Sequence, residues 1–357
     1  MKILYHILHT NTTGADRWIY EGWKDAWQEL GHQFYEFKEG DNLTEKIDRI
    51  KPDIFWTAYN ITKIDRQKNL LKKIRQKRTK IFFFVDSLLN KEEFEIIKKE
   101  EIADIYIGER EPESMKEFEK LTGRKYHLIP NAADKKIHFP ASPVKKYEYD
   151  IVYLGAKLPK KKWFFDNVLI PLTKKYKVGI FGPYWTIKDN FLRAAQKICK
   201  KIRFRLGVRF FNSFRIVIPP EEENLLYSSA KISLNFHERE PDGSQPHHIL
   251  NQRTFKIPAC GGFELCDYVP ALRKYFTENE VIIARLDAND WFEKIDYYLK
   301  HDKKRVAIQN AGTKRALKDH TYCNRVKQVI NLYKMIDTEK VNKTRDVLFA
   351  QNNINKK

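Results

Sequence analysis

The chain has 357 residues, 42% of them hydrophobic and 13% aromatic, which excludes bulk disorder and predicts two domains of ordinary size. Its formal net charge of +20 predicts anionic company: nucleotide phosphates, nucleic acid or an acidic membrane surface. No apolar run approaches the roughly 20 residues that span a bilayer. The N-terminus enters a strand without a signal-peptide core. A cytoplasmic protein is expected, at most peripheral on the inner membrane face. Cys199, Cys260, Cys266 and Cys323 form no Cys-x-x-Cys pair and no cluster of zinc spacing, so neither a metal nor a resident cofactor is expected.

Ile3–Leu8 reads as a buried strand, followed by a polar turn and an amphipathic helix over Asp16–Leu30. Strand and helix then alternate. Strands are expected at Gln33–Phe37, Asp53–Trp56, Lys80–Val85, Asp104–Ile107 and Tyr126–Ile129, and helices at Glu45–Ile50, Ile64–Gln76, Glu92–Lys99 and Glu113–Leu121. Such alternation predicts a parallel sheet covered on both faces, with ligands beyond the carboxyl ends of its strands. His9, Asp16 and Asp86 fall at those ends and are the candidates for acid, base or acceptor-orienting work. Asp86 reads equally as the cap of the next helix. His6 points into the strand and is expected to be a core histidine. Leu128–Asp134, then Phe139-Pro140, is a strand end, turn formers and a proline stop, and the domain boundary is placed between residues 140 and 141.

The second half repeats the pattern. Tyr149–Leu154 is a strand running into Gly155, Lys157 and Lys161, then a helix over Trp163–Leu169: a glycine turn and lysines beside a helix start suit phosphate. Lys177–Phe181 is the next strand. The stretch Ile187–Phe214 interleaves eight basic residues with apolar ones, a pattern shared by helices on anionic membranes, nucleic-acid binders and charged surface helices. Lys231–Asn235 is a strand that delivers Asn235 and His237 towards the cleft. Asn251–Phe263 starts polar, turns apolar and ends at Gly261–Gly262. It is expected to be a helix whose N-terminus, with Arg253, faces an anion. Val269–Tyr275 is expected to fold over the cleft, Glu280–Ala284 to be a strand, and Trp291–Leu299 and Lys304–Leu317 to be helices. Asp319–Arg325 leads into an apolar helix to about Ile336, and residues 337–357 form a polar tail.

Within Asn251–Phe263 the residues Asn251, Arg253, Phe255, Ala259, Cys260 and Gly261 resemble the signature of the GT-B-fold group 1 glycosyltransferases, and more narrowly of the spore-maturation type. The linker at 128–140 and the closing motif at 319–325 are similar to theirs as well. The resemblance implies two Rossmann-like domains facing each other across a cleft: 1–140 on the acceptor side and 141–336 on the donor side, with the last helix packing back on the first domain. It implies transfer of a sugar, with retention of configuration, from a nucleoside-diphosphate sugar to a glycan, lipid-linked or protein hydroxyl. Lys157, Lys161 and Arg253 would hold the diphosphate, Asn235 and His237 would face the nucleotide or sugar, and Gly261, Gly262 and Phe263 would touch the donor. Lys256 departs from the family, which usually has Glu there. A lysine accepts no hydrogen bond from ribose hydroxyls, so Lys256 is expected to join the diphosphate grip. Two rivals stand beside this reading. One is a non-catalytic membrane- or nucleic-acid-binding protein on a degenerate scaffold; the other is a nucleotide-sugar epimerase on the same fold.

Overall fold

A computed structural model describes residues 1–7, 15–38, 40–58, 64–85, 91–213, 218–240, 243–244 and 249–336. The first half runs β1 (Lys2–His6), α1 (Ala15–Glu29), β2 (Gln33–Phe37), α2 (Leu43–Ile50), β3 (Ile54–Ala58), α3 (Ile64–Gln76), β4 (Lys80–Phe84), α4 (Lys91–Lys99), β5 (Ile105–Gly108), α5 (Lys116–Thr122) and β6 (Tyr126–Leu128). The six strands form one parallel sheet in the order β2-β1-β3-β4-β5-β6. Alternate residues of each strand point to opposite faces. Phe55, Ile81 and Phe83 therefore pack with Leu71, Ile74 and Ile97 on one side, while Ile54, Trp56 and Phe82 meet Trp23 and Trp27 on the other. His6 is buried and bonds Thr57 Oγ1 through Nδ1 at 2.9 Å, and burial lowers its pKa to about 4, as befits a core histidine.

The second half begins with β7 (Ile151–Leu154) and α6 (Lys162–Phe164), which passes through a π turn at Phe165–Leu169 into α7 (Ile170–Leu172). It continues with β8 (Val178–Phe181), α8 (Ile187–Lys201), α9 (Arg205–Ser213), α10 (Glu223–Ser229), β9 (Ile232–Asn235), α11 (Arg253–Ala259), β10 (Glu264–Asp267), β11 (Ile282–Ala284), α12 (Ala288–Lys300) and α13 (Asp302–Asp319). A last helix, α14, covers residues 322–336. The five strands form a second parallel sheet, ordered β11-β10-β9-β7-β8. The basic stretch after β8 is two helices rather than one, because the chain turns at Arg203 with φ of 58°. Val269–Tyr275 is a correction. It is no cover over the cleft, since Val269, Ala271 and Leu272 are buried core residues of the second domain.

The chain crosses between the sheets twice. After β6 it passes through residues 129–150 into β7; after α13 it returns. At the return point the backbone of Ala133 holds the returning segment at two points: its N–H donates to His320 O and its O accepts from Tyr322 N–H, each at 2.9 Å. Arg325 donates to the carbonyl oxygens of Pro130 and Asn131 at 3.0 and 3.1 Å. Tyr322, Val326, Val329 and Ile336 then complete the core face that carries Trp23, Trp27 and Trp56. Lys274 and Tyr275 add a polar tie across the domains by bonding the buried Glu111 carboxylate.

The tightest seam of this return lies between α1 and α14. A Cβ at Gly22 would stand 2.3 Å from the Tyr322 ring. Gly22→Ala is expected to destabilise the protein by ~1–3 kcal/mol through overpacking, measured as a lower urea midpoint. An unchanged midpoint would mean that α14 is free to move aside.

Candidate functional site

In a parallel sheet all carboxyl ends gather at one edge, and the loops there are where ligands bind. In the second domain that edge is formed by Leu154 of β7, Asn235 of β9 and Asp267 of β10. Four ionisable or amide side chains converge on it. Asn235 is fully buried. Its Oδ1 accepts from Asn251 Nδ2 at 2.8 Å and Arg253 Nε at 3.1 Å; its Nδ2 donates to Glu264 Oε1 at 2.8 Å and Thr254 Oγ1 at 3.2 Å. This amide is a hub that positions its neighbours, with every ordinary hydrogen-bonding position taken. Burial pushes the Glu264 carboxyl well above the usual range, so it sits neutral beside the amide.

Asp267 is also fully buried but stays ionised. Burial works to raise its pKa, and His237 with Arg239 outweighs it, so the net shift is downward. Its Oδ1 accepts from the His237 backbone N–H at 2.9 Å and pairs with His237 Nδ1 at 2.7 Å; its Oδ2 accepts from Arg239 Nη2 at 2.7 Å. With a carboxylate on Nδ1, His237 keeps its proton there and turns Nε2 to Thr254 Oγ1, 3.2 Å away. The imidazole is thus fixed in orientation by both of its nitrogens.

Arg253, at the start of α11, reaches across the strand ends. It donates to Leu154 O at 2.7 Å, Phe236 O at 3.3 Å and Asn235, and stacks over Tyr153. Gly155 follows β7 because a Cβ there would stand 2.1 Å from Arg253 Nη1. Of five N–H bonds the guanidinium spends three on the scaffold. None of these three acceptors is a carboxylate. The helix terminus behind it is not the anion site expected from the sequence. The Thr254 N–H bonds Asn251, and those of Phe255 and Lys256 bond Gln252 O.

The lysine run after Gly155 sorts itself by direction. Lys160 pairs outward with Glu240 and Lys162 with Asp166, and Lys157 is exposed, 5.5 Å from the Trp185 ring. Lys161 alone turns inward. It is buried, and among the described residues no hydrogen bond or ion pair holds its ammonium. Burial first, then the nearby Arg253 charge, lower its pKa to about 7. Two cationic side chains thus meet at the mouth of β7.

Three expectations meet corrections here. Lys256 does not face this mouth: it lies buried one turn into α11, ion-paired with Glu223 of α10 and 5.9 Å from the Trp18 ring of the first domain. Gly261, Gly262 and Phe263 are buried at the amino end of β10, away from the strand ends that carry the site. A crossover helix starts at one edge of a parallel sheet and ends at the other. Gly261 serves as the left-handed stop of α11, at φ of 74°, and Phe263 packs against Tyr298. Asn235 faces inward rather than towards a ligand. His9 and Asp86 lie outside the described residues, and Asp16 is placed only as a backbone position in the first turn of α1.

The Lys256–Glu223 pair was not legible in the sequence. Burial works to raise the Glu223 carboxyl, but Lys256 and His138 bring it down to about 2. His138 Nδ1 accepts the Asp134 backbone N–H at 3.0 Å, so its Nε2 proton faces Glu223 Oε2, 3.8 Å away. Lys256→Met leaves this carboxylate buried without its cation and is expected to cost ~3–5 kcal/mol. The stability supplied by Glu223 is present above its ordinary unfolded pKa of ~4.3 and is lost as pH falls towards 2. Chemical denaturation of Lys256→Met between pH 3 and 7 should show both effects; a wild-type midpoint would show that the pair is dispensable.

The sequence model of a family described as "Glycosyl transferase-like" matches residues 162–331. Spore protein CgeB of Bacillus subtilis (strain 168) is 29% identical over 219 residues, a match covering 57% of this chain and 60% of that protein. The matched region thus spans less than two thirds of that relative. Among solved structures, the sucrose-phosphate synthase from Thermosynechococcus elongatus superposes with a TM-score of 0.61 at 12% identity, covering 95% of this chain and 99% of that one. A glycosyltransferase from Rickettsia africae ESF-5 gives 0.63 at 11%, covering 94% and 98%. Anabaena Alr3699/HepE in complex with UDP and glucose gives 0.60 at 10%, covering 94% and 100%. Two parallel α/β domains and these neighbours agree on the GT-B fold, and the glycosyl transferase-like model matches most of the second domain.

Proposed function

We propose that the protein transfers a sugar from a nucleoside-diphosphate sugar to a hydroxyl acceptor without the help of a metal ion. The observation that carries this reading is Lys161. A lysine buried with no hydrogen bond or ion pair on its ammonium among the described residues is costly, and it is kept where a ligand supplies the missing anion. Arg253 stands beside it with no carboxylate among its three acceptors, and the exposed Lys157 lies on the same loop. This cationic mouth fits a diphosphate better than a carboxylate. In the transfer, the bond between the sugar's anomeric carbon and the diphosphate breaks, and the leaving diphosphate takes the electron pair. Lys161 and Arg253 stabilise that charge from fixed positions, which is the main electrostatic task of the reaction. His237, buried and held at both nitrogens by Asp267 and Thr254, supports the same strand ends rather than reaching for the sugar. The acceptor would come from the side of the first domain, with His9, Asp16 and Asp86 as the candidates to orient it. The complexes of Anabaena Alr3699/HepE with UDP and with UDP-glucose make a uridine donor the first to test.

A thermal-shift panel of nucleoside diphosphates and their sugars, with and without magnesium, tests the reading. A ligand at a hundred times its dissociation constant should add about 2.7 kcal/mol. One nucleotide family should shift the protein regardless of magnesium. No shift with any of them in a folded sample sinks the proposal.

Lys161 gives a second, proton-linked test. Because it titrates near 7 when free, a bound diphosphate should recharge it, and calorimetry at pH 8 in buffers of different ionisation enthalpy should show proton uptake. Lys161→Met should weaken diphosphate binding about 10- to 100-fold and abolish the uptake. The sign for stability follows. Between pH 7 and the unfolded lysine value of ~10.4 the unfolded chain binds more protons, so stability rises with pH there, and Lys161→Met should lose that slope. Equal proton uptake in the variant would assign the charge elsewhere.

A further inference from the structure

The helical pair α8–α9 is built inside out. Half of the exposed large apolar side chains among the described residues, seven of fourteen, fall within residues 187–210. On α8, Ile187, Phe191, Ile198 and Ile202, which follows directly, sit within an arc of ~60° at 100° per residue. They are 89%, 70%, 61% and 65% exposed. Leu206 and Phe210, four residues apart on α9, are 69% and 59% exposed. The face turned to the protein is the polar or small one: Asp189, Gln196 and Cys199 are buried there. A helix on a soluble domain normally does the reverse. The apolar stripe is bordered by cations, with Lys188 on one flank and Lys197 and Lys201 on the other, all exposed.

The root of the pair is fixed. Trp185, two residues before α8, donates Nε1–H to Gly155 O at 2.7 Å and packs edge-on to Phe165. Thr186 caps α8 by accepting the Asp189 N–H at 3.1 Å. The pair is therefore a rigid projection from the outer strand β8 of the second sheet, not a frayed surface loop.

We infer that α8–α9 is a docking element for an anionic lipid surface, with its bulky side chains entering the interface and its lysines on the headgroups. An apolar stripe alone would leave the occupant open. The lysines that border it choose an anionic partner, and the bulky side chains between them require that partner to offer an apolar interior within a few ångströms of its charges. A bilayer meets both demands. A nucleic-acid backbone meets only the first, and a second copy of this net-positive chain only the second. The inference stands on this surface and not on the donor chemistry.

Co-sedimentation of the full chain with vesicles of phosphatidylcholine, alone or mixed with phosphatidylglycerol, tests it. Binding is expected to the mixed vesicles, weakening with salt. Two variants separate the contributions: Phe191→Ser with Ile198→Ser, Leu206→Ser and Phe210→Ser, and Lys197→Glu with Lys201→Glu. All these positions are exposed, so melting temperature and nucleotide-induced shifts should stay at wild-type values, while each variant loses about tenfold or more in vesicle affinity. The proposal is overturned by absent vesicle binding. It is overturned equally if the serine variant binds vesicles as wild type does, or if an oligonucleotide is bound with an affinity only the charge variant loses. Self-association abolished by the serine variant, without vesicle binding, would give the face to a second copy.

Discussion

Parallel pairing gives each sheet a direction, and the site depends on it. Every strand of the second sheet ends at the same edge, so Leu154, Asn235 and Asp267 are brought together although they are far apart in the chain. The backbone carbonyls left over at strand ends attract a cation, and Arg253 answers by bonding two of them. Once that guanidinium is placed, Gly155 has to lack a side chain, Asn235 has to turn inward to receive Nε, and the next inward-facing lysine has to share the space with a like charge. Burial first, and then that crowding, depress the pKa of Lys161.

The protein keeps its buried charges by treating each one differently. Burial raises the Glu264 carboxyl, Asp267 is kept ionised by two cationic or protonatable neighbours, Glu223 by a lysine, and Lys161 is left without a hydrogen bond or ion pair among the described residues. The first three orient other groups and are complete in themselves. Incompleteness is what sets the lysine apart, since a structural charge is normally paired.

Much of the fold was legible in the residues. Short apolar runs closed by Gly, Pro or Asp gave strands, and amphipathic stretches between them gave helices, because both signals are local. The end of α11 at Gly261 was legible for the same reason. What failed was long-range. Nothing near Lys256 announces that Glu223 approaches it from another helix. In the run from Lys157 to Lys162 the sequence could not say which ammonium turns inward. The signature around α11 was read as one site, although the two ends of a crossover helix belong to opposite edges of the sheet. The bulky residues of 187–214 were visible, yet which face they occupy depends on what the neighbouring elements bury.

The return of α14 to the first domain bears on how the chain folds as it leaves the ribosome. Tyr322, Val326, Val329 and Ile336 finish a core face begun by Trp23, Trp27 and Trp56. An N-terminal domain ordinarily folds first during synthesis. Here its tryptophan-lined face stays uncovered until nearly the whole of the described chain has emerged. The second domain, whose sheet is complete by Ala284, closes its strands before the first domain can bury that face. Nascent chains stalled near residue 320, once Trp291, Ile295 and Ala316 have filled the second core, would thus carry a nearly complete second domain and a first domain with an open, chaperone-recognisable face.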